Sequence, residues 1–205
     1  MACIIHSDLS CFGYPVSYDL FPAILMSNTT LYFAYGSNMA LARLRARIPS
    51  ARLYRNARLP GYELKFHKKG ADGSAKCDVV RSENRSLLVH GVLFEFDIAE
   101  KPILDVFEGP RYESHRVELL TANDSVTEAF MYVVADKAAH TDHRLKPFHW
   151  YKHHVLHGAR EARLPDDYIA DIAAVESQPD HDEERTRREL SIYPEPAVRA
   201  LFAMI

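Results

Sequence analysis

The chain has 205 residues, 47% of them hydrophobic and 26% charged, which is enough apolar side chain for one globular domain with a full core. A formal net charge of −3 argues against a protein whose main work is gripping nucleic acid. Cys3, Cys11 and Cys77 are widely spaced, with no CxxC or zinc-ribbon arrangement, and a reducing cytoplasm is their simplest setting.

Residues 1–29 hold Ile4, Ile5, Phe12, Phe21 and Ile24 but no lysine or arginine, and Asp8, Pro15, Asp19 and Pro22 interrupt every apolar run. A secretory signal needs a basic start and an unbroken apolar centre, and a membrane span needs a longer run still. The segment is therefore expected to be an extension outside the domain. Leu31 to Tyr35 then reads as a short aromatic-rich strand that breaks into Gly36, Ser37 and Asn38, with Leu41, Leu44 and Ile48 spaced on one helical face. The pattern predicts a positive φ at Gly36 and a helix cap at Ser37 or Asn38. Such a turn gathers free backbone N–H groups, a setting for a carboxylate or a developing oxyanion, although by itself it reads as a structural turn.

The basic segment from Arg52 to Arg58 leads to a turn at Leu59, Pro60 and Gly61. The arginines between Arg43 and Arg58 come with no aromatic stacking platform, so a solvated helix face and loop explain them. Tyr62 to His67 alternates like a half-buried strand, Lys68 to Ser74 is a polar loop, and Cys77 to Val80 and Leu87 to Phe96 are two further strands. Asp97 caps a predicted helix with Ile103, Leu104 and Phe107 inward, ended by Gly109 and Pro110. Glu108 thus falls at a helix C-terminus, where the negative dipole end is expected to raise its pKa.

Tyr112 to Leu120 and Glu128 to Val134 read as an antiparallel pair. A helix opening at Pro147 is expected to end at Gly158, and another to begin after Pro165, capped by Asp166 with Ile169, Ile172 and Val175 inward. The mixed-charge run from Asp180 to Glu189 reads as a solvated helical tail, so that the domain spans 30–178 and residues 179–205 follow it.

Phe33-Ala34-Tyr35-Gly36-Ser37-Asn38-Met39 resembles the Y-G-S-N signature of the γ-glutamylcyclotransferases. Leu104-Asp105-Val106-Phe107-Glu108-Gly109 resembles their Leu-Asp-x-x-Glu-Gly segment, whose glutamate is the family's catalytic acid–base. Tyr112, Tyr132 and Tyr151 look like the family's pocket tyrosines. The run from Gly158 to Pro165, with Tyr168, is similar to its C-terminal segment. The similarity covers about residues 30–178, and motifs in the right order are more specific than either alone. It implies a mixed α+β fold with a small, partly closed, mainly antiparallel sheet or barrel and flanking helices. It also implies a reaction in which the α-amino group of a γ-glutamyl compound attacks that compound's own side-chain amide carbonyl, releasing 5-oxoproline and an amino acid or amine.

That chemistry needs no serine or cysteine nucleophile and no metal or organic cofactor. It needs a folded substrate, an orientation effect worth up to about 7–11 kcal/mol in favourable cases. It also needs a carboxyl that takes a proton from the ammonium and returns one to the leaving nitrogen, which Glu108 fits. Amides around Tyr35, Gly36, Ser37 and Asn38 would bind either the α-carboxylate or the oxyanion, and the hydroxyls of Tyr112, Tyr132 and Tyr151 would orient the glutamyl group.

His149, His153 and His157 recur at zinc-compatible spacing, but HExxH is absent and a histidine-rich solvated face is the simpler reading. Cys77, in a strand pattern, reads as a small core residue. Lys76 is a candidate contact for a substrate carboxylate. The expected partner is a small γ-glutamyl compound, with no nucleic acid and no membrane, bound to a monomer or homodimer. The leading reading is a cyclotransferase of γ-glutamyl amino acids. The alternatives are one acting on a γ-glutamyl amine or tagged intermediate, and a non-catalytic binding protein on the same fold.

Overall fold

Strand β1 (Thr29–Ala34) is buried on both faces from Tyr32 onward, so it needs neighbours along both edges. In the structure, a computed structural model describing residues 28–194, it has them. β5 (Leu88–Asp97) lies antiparallel on one side, with Tyr32 opposite Phe94, and β7 (Val126–Val134) lies parallel on the other, meeting at Tyr32 and Phe130. With β2 (Arg52–Pro60) and β6 (Tyr112–Leu120) the strands close into a barrel in the order β1-β5-β2-β6-β7. Closure removes the open edges that a five-stranded sheet would expose. On the outer face of the barrel, opposite the inward-facing Phe33 and Leu93, Tyr32 stacks on Phe130 at 5.2 Å, and Phe96 and Tyr132 meet the same pair edge-on, in the offset geometries aromatic rings prefer.

A separate hairpin, β3 (Tyr62–Lys69) and β4 (Ala75–Arg81), packs against β5 and β7. Helix α1 (Leu41–Arg47) follows a single 3₁₀ turn at Ser37–Met39, and α2 (Lys101–Glu108) follows another at Ile98–Glu100 that Asp97 caps through Ala99 N. The short α3 (Lys137–His140), then α4 (His149–Glu161), α5 (Asp166–Ala174) and α6 (Glu183–Leu190), follow among the described residues. No helix among the described residues is long and apolar enough to cross a membrane, which says nothing about strands.

Several expectations are corrected. The basic segment after Pro49 is not a loop but β2: its first five residues are exposed, so no hydrophobic alternation marks it, and backbone pairing with β5 holds it in place. Helix α4 continues past Gly158, and Asp166 is the first helical residue of α5 rather than its cap. Leu104 is the buried face of α2, whereas Ile103 and Phe107 are about half exposed. The run after 178 does form a helix, but Leu190 and Tyr193 are buried in the main core. Residues 1–27 of the expected extension and 195–205 of the tail lie outside the described residues.

Candidate active site

The Tyr35–Asn38 turn takes its shape from crowding rather than from a left-handed residue. Gly36 has φ −119° and ψ −143°, against the expected positive φ. A Cβ there would stand 3.1 Å from the Cys77 Cβ and 3.5 Å from the Tyr151 hydroxyl, so β4 and α4 approach a bare backbone. Nor does Ser37 or Asn38 cap a helix. The N-cap of α1 is Ala40, and the Leu41 amide is met instead by the Glu161 carboxylate at 3.1 Å. This leaves the amides of Ser37 and Asn38 without an acceptor among the described residues.

Asn38 is 4% exposed, and its side chain joins both motifs. Its Nδ2 donates to Glu108 Oε1 at 2.8 Å and to the Tyr32 hydroxyl at 3.1 Å, while its Oδ1 accepts from Arg47 at 3.0 Å. Glu108 is the last residue of α2, which Gly109 ends at φ 74°. The same Oε1 lies 3.4 Å from Arg47, so the negative end of α2 is met by a guanidinium at the end of α1. Burial, and Arg43 beside it, lower the Arg47 pKa, while Glu108 pulls it the other way.

Tyr35, Tyr112, Tyr132 and Tyr151 wall the remaining sides, with Tyr32 and Cys77 beside them, around about 310 Å³ of space that includes an open mouth. Three of the tyrosines also brace the wall through the main chain: Tyr35 donates to the Tyr132 carbonyl, Tyr112 donates to the Cys77 carbonyl, and Tyr151 accepts from the Cys77 amide at 2.9 Å. Tyr132 donates to Asp105 on α2. Burial opposes ionisation of Asp105, but Lys101 and Tyr132 hold its carboxyl below the ordinary value. Burial raises the pKa of each wall tyrosine, so all stay neutral donors.

The pocket therefore gathers every residue singled out for it: Tyr35, Gly36, Ser37, Asn38, Glu108, Tyr112, Tyr132 and Tyr151. Tyr168 does not reach it and packs on His90 at 4.9 Å. Sequence reasoning missed Tyr32, Arg47, Asp105 and Cys77 as parts of the site. Asp105 lies within the Leu-Asp-x-x-Glu-Gly segment, and Arg47 follows Leu44 at i+3 on the same side of α1, but nothing in the pattern aims either at the pocket.

Lys76 turns away from the pocket, bonded to Asp72 at 2.6 Å and lying over Trp150 and Tyr151. Burial pushes the Cys77 thiol up to about 12, consistent with a packed, unreactive side chain. The histidine face of α4 is only partly solvated: Tyr193 packs on His153 and His157 with ring contacts at 5.2 and 4.5 Å, and His149 bonds Ser177. Among the described residues no three His, Cys, Asp or Glu side chains are grouped to hold a metal ion.

Residues 88–172, from β5 into α5, match the AIG2-like family, a stretch that holds Glu108, Tyr112, Tyr132 and Tyr151. A solved structure named gamma-glutamyl cyclotransferase shares the fold with a TM-score of 0.67 and 24% identity, over 78% of this chain and 99% of that one. An uncharacterized protein from Homo sapiens gives 0.66 and 24%, over 78% and 99%. YkqA from Bacillus subtilis gives 0.57 and 19%, over 74% of this chain and 56% of that one. No curated protein matches in sequence. The chain has the γ-glutamylcyclotransferase-like fold, and the family match supports the resemblance read from its motifs.

Proposed function

We propose that this chain, on its γ-glutamylcyclotransferase-like fold, is a cofactor-independent cyclotransferase that releases 5-oxoproline and a free amino acid from γ-glutamyl amino acids. One observation carries the reading: the only two motifs with chemical content meet at the 2.8 Å bond from Asn38 to Glu108, inside one tyrosine-walled pocket. A cytoplasmic setting is part of the same proposal.

The pocket holds the glutamyl group folded, so that its α-nitrogen lies against its own γ-carbonyl carbon. Glu108, fixed by Asn38 and Arg47, accepts a proton from the α-ammonium, and the freed amine attacks. A C–N bond forms to the carbonyl carbon and its oxygen takes up negative charge. The amides of Ser37 and Asn38 supply donors for that oxygen or for the substrate's α-carboxylate. The Tyr32 hydroxyl accepts from Asn38, which leaves its own proton for the substrate. Glu108 then hands its proton to the leaving nitrogen as the original amide C–N bond breaks. The attacking nitrogen carries two protons once the new C–N bond has formed; it sheds one as the intermediate collapses, which leaves the lactam N–H of 5-oxoproline, and the departing amine takes that proton up to leave as an ammonium.

The test is a panel of γ-glutamyl amino acids and γ-glutamyl amines with 5-oxoproline as readout. The wild-type chain is expected to form product, and Glu108→Gln to lose at least about a hundredfold in kcat, the low end of a general acid–base contribution. Substantial activity in Glu108→Gln removes the assigned role. Absence of product from the whole panel removes the reaction.

A further inference from the structure

Strand β3 keeps one face to solvent until its pairing with β4 slips between Phe66 and Lys68, and then two consecutive side chains, His67 and Lys68, are buried at 4% and 8% exposure. A bulge of this kind re-aims the side chains beside it. His67 is matched by a partner, with Nε2 3.0 Å from the Asp78 carboxylate. Lys68 is not: its ammonium has no hydrogen bond and no ion pair among the described residues, and lies 4.2 Å from the centre of the Tyr112 ring, in the pocket wall. The charges that act on it are Glu108, Arg111, Lys76 and Asp72, and Asp72 is already held by Lys76 at 2.6 Å. Arg111, bonded to the Lys69 carbonyl at 2.9 Å, adds a second cation on the same side.

An ammonium drawn largely out of water without a fixed counter-ion is costly, and burial pushes this one down to about 8. A fold that keeps such a group beside a binding pocket gains from it when an anion arrives. The glutamyl half of a substrate is accommodated by the turn, Glu108 and the tyrosines. Lys68 touches Tyr112 without lining that space, so it meets whatever extends past the tyrosine from the scissile amide.

We propose that Lys68 is a specificity-determining residue that pairs with the carboxylate of the leaving group, so that γ-glutamyl compounds releasing a carboxylate-bearing amine are favoured over those releasing a neutral or basic one. The inference rests on the cyclotransferase reading above and deepens it.

A matched pair of substrates isolates the effect: γ-glutamyl-alanine and γ-glutamyl-ethylamine, which differ by the carboxylate of the leaving group alone. With wild-type protein, kcat/KM is expected to favour γ-glutamyl-alanine at least tenfold. Lys68→Met keeps the apolar stem over Tyr112 and removes the charge. It is expected to raise KM for γ-glutamyl-alanine at least tenfold while leaving γ-glutamyl-ethylamine unchanged, with thermal unfolding no lower than wild type. Lys68→Arg, measured alongside, is expected to recover part of the preference. An equal loss on both substrates means that Lys68 serves the glutamyl half or the fold and overturns the inference, as does an unchanged ratio in Lys68→Met. Both of these leave the cyclotransferase reading intact. Wild-type protein inert on both substrates overturns the two together.

Discussion

Asn38 is the residue through which the two halves of the site act as one. Its amide satisfies Glu108 and Tyr32 on one side and Arg47 on the other, all in a buried setting where a lost partner is expensive. Asn38→Ala strands those groups and is expected to cost about 1–3 kcal/mol of stability. It should also lower kcat more than KM, because it frees the carboxylate that moves the proton. Asn38→Asp keeps the shape but sets a second carboxylate against Glu108, and should lose more activity than stability. Urea unfolding together with 5-oxoproline kinetics checks both; parallel losses in the two variants count against the argument. The residues of this contact were legible in sequence as motif members, yet their geometry was not. Asn38 read as a helix cap because short polar residues usually serve there, and Gly36 as a left-handed turn. What decided both was tertiary: Cys77 and Tyr151 crowd Gly36, and Glu161 arrives from α4 to meet the Leu41 amide that a cap would have served.

Among the elements, α4 supplies Tyr151 to the pocket and backs the turn that carries Ser37 and Asn38. Gly158 lies within it because a Cβ at that place would come 2.3 Å from the Ala40 amide nitrogen and 2.4 Å from the Met39 carbonyl carbon, both backbone atoms that cannot swing aside. The helix is thus seated directly on the 3₁₀ turn, and Tyr151, two turns earlier, reaches the Cys77 amide. Gly158→Ala must push the helix off the turn. We expect a loss of about 1–3 kcal/mol or more, the usual scale of overpacking, and a matching fall in kcat as Tyr151 and the turn separate. Thermal unfolding with kinetics tests this, and a variant with wild-type melting would contradict it. In sequence the same glycine read as a helix end, since glycine commonly stops a helix and nothing local reports a neighbour packed against it. β2 was hidden for a related reason. Arg52, Arg55 and Arg58 interrupt the alternation, and only Ala57 and Leu59 face inward, so the strand exists through its partner β5. β5, β6 and β7 carry their own apolar patterns and could be read directly.

At the scale of the whole molecule, the C-terminal segment is clamped to the domain by one buried network spanning α1, α4 and α6. Arg43 donates to Glu189 at 2.6 Å and to His154 Nε2 at 3.0 Å, and His154 Nδ1 lies 2.7 Å from the Tyr193 hydroxyl. With Arg43 donating to Nε2, that nitrogen has no proton to share with Glu189, 3.8 Å away, so the imidazole is held neutral. Burial, with Arg43 adding to it against the pull of Glu189, pushes His154 from 6.5 down to about 3. Burial works against Glu189, but Arg43, bonded to it at 2.6 Å, brings its carboxyl from 4.5 down to about 2. Both pKa values are lower in the folded chain, so in acid the unfolded chain binds protons that the folded chain refuses. Stability from His154 is complete above pH 6.5 and is lost as the pH falls toward about 3; that from Glu189 is complete above 4.5 and lost toward about 2. Each proton contributes a slope of at most about 1.4 kcal/mol per pH unit. Unfolding free energies measured between about pH 7 and about pH 5 should therefore fall in the wild-type chain, and fall less steeply in His154→Gln even though that variant starts from a lower value. The two slopes isolate the imidazole from the other titrating groups, because everything else in the chain is common to both proteins. Identical slopes would mean that His154 is not held neutral, and that the C-terminal helix is clamped by Arg43 and Glu189 alone.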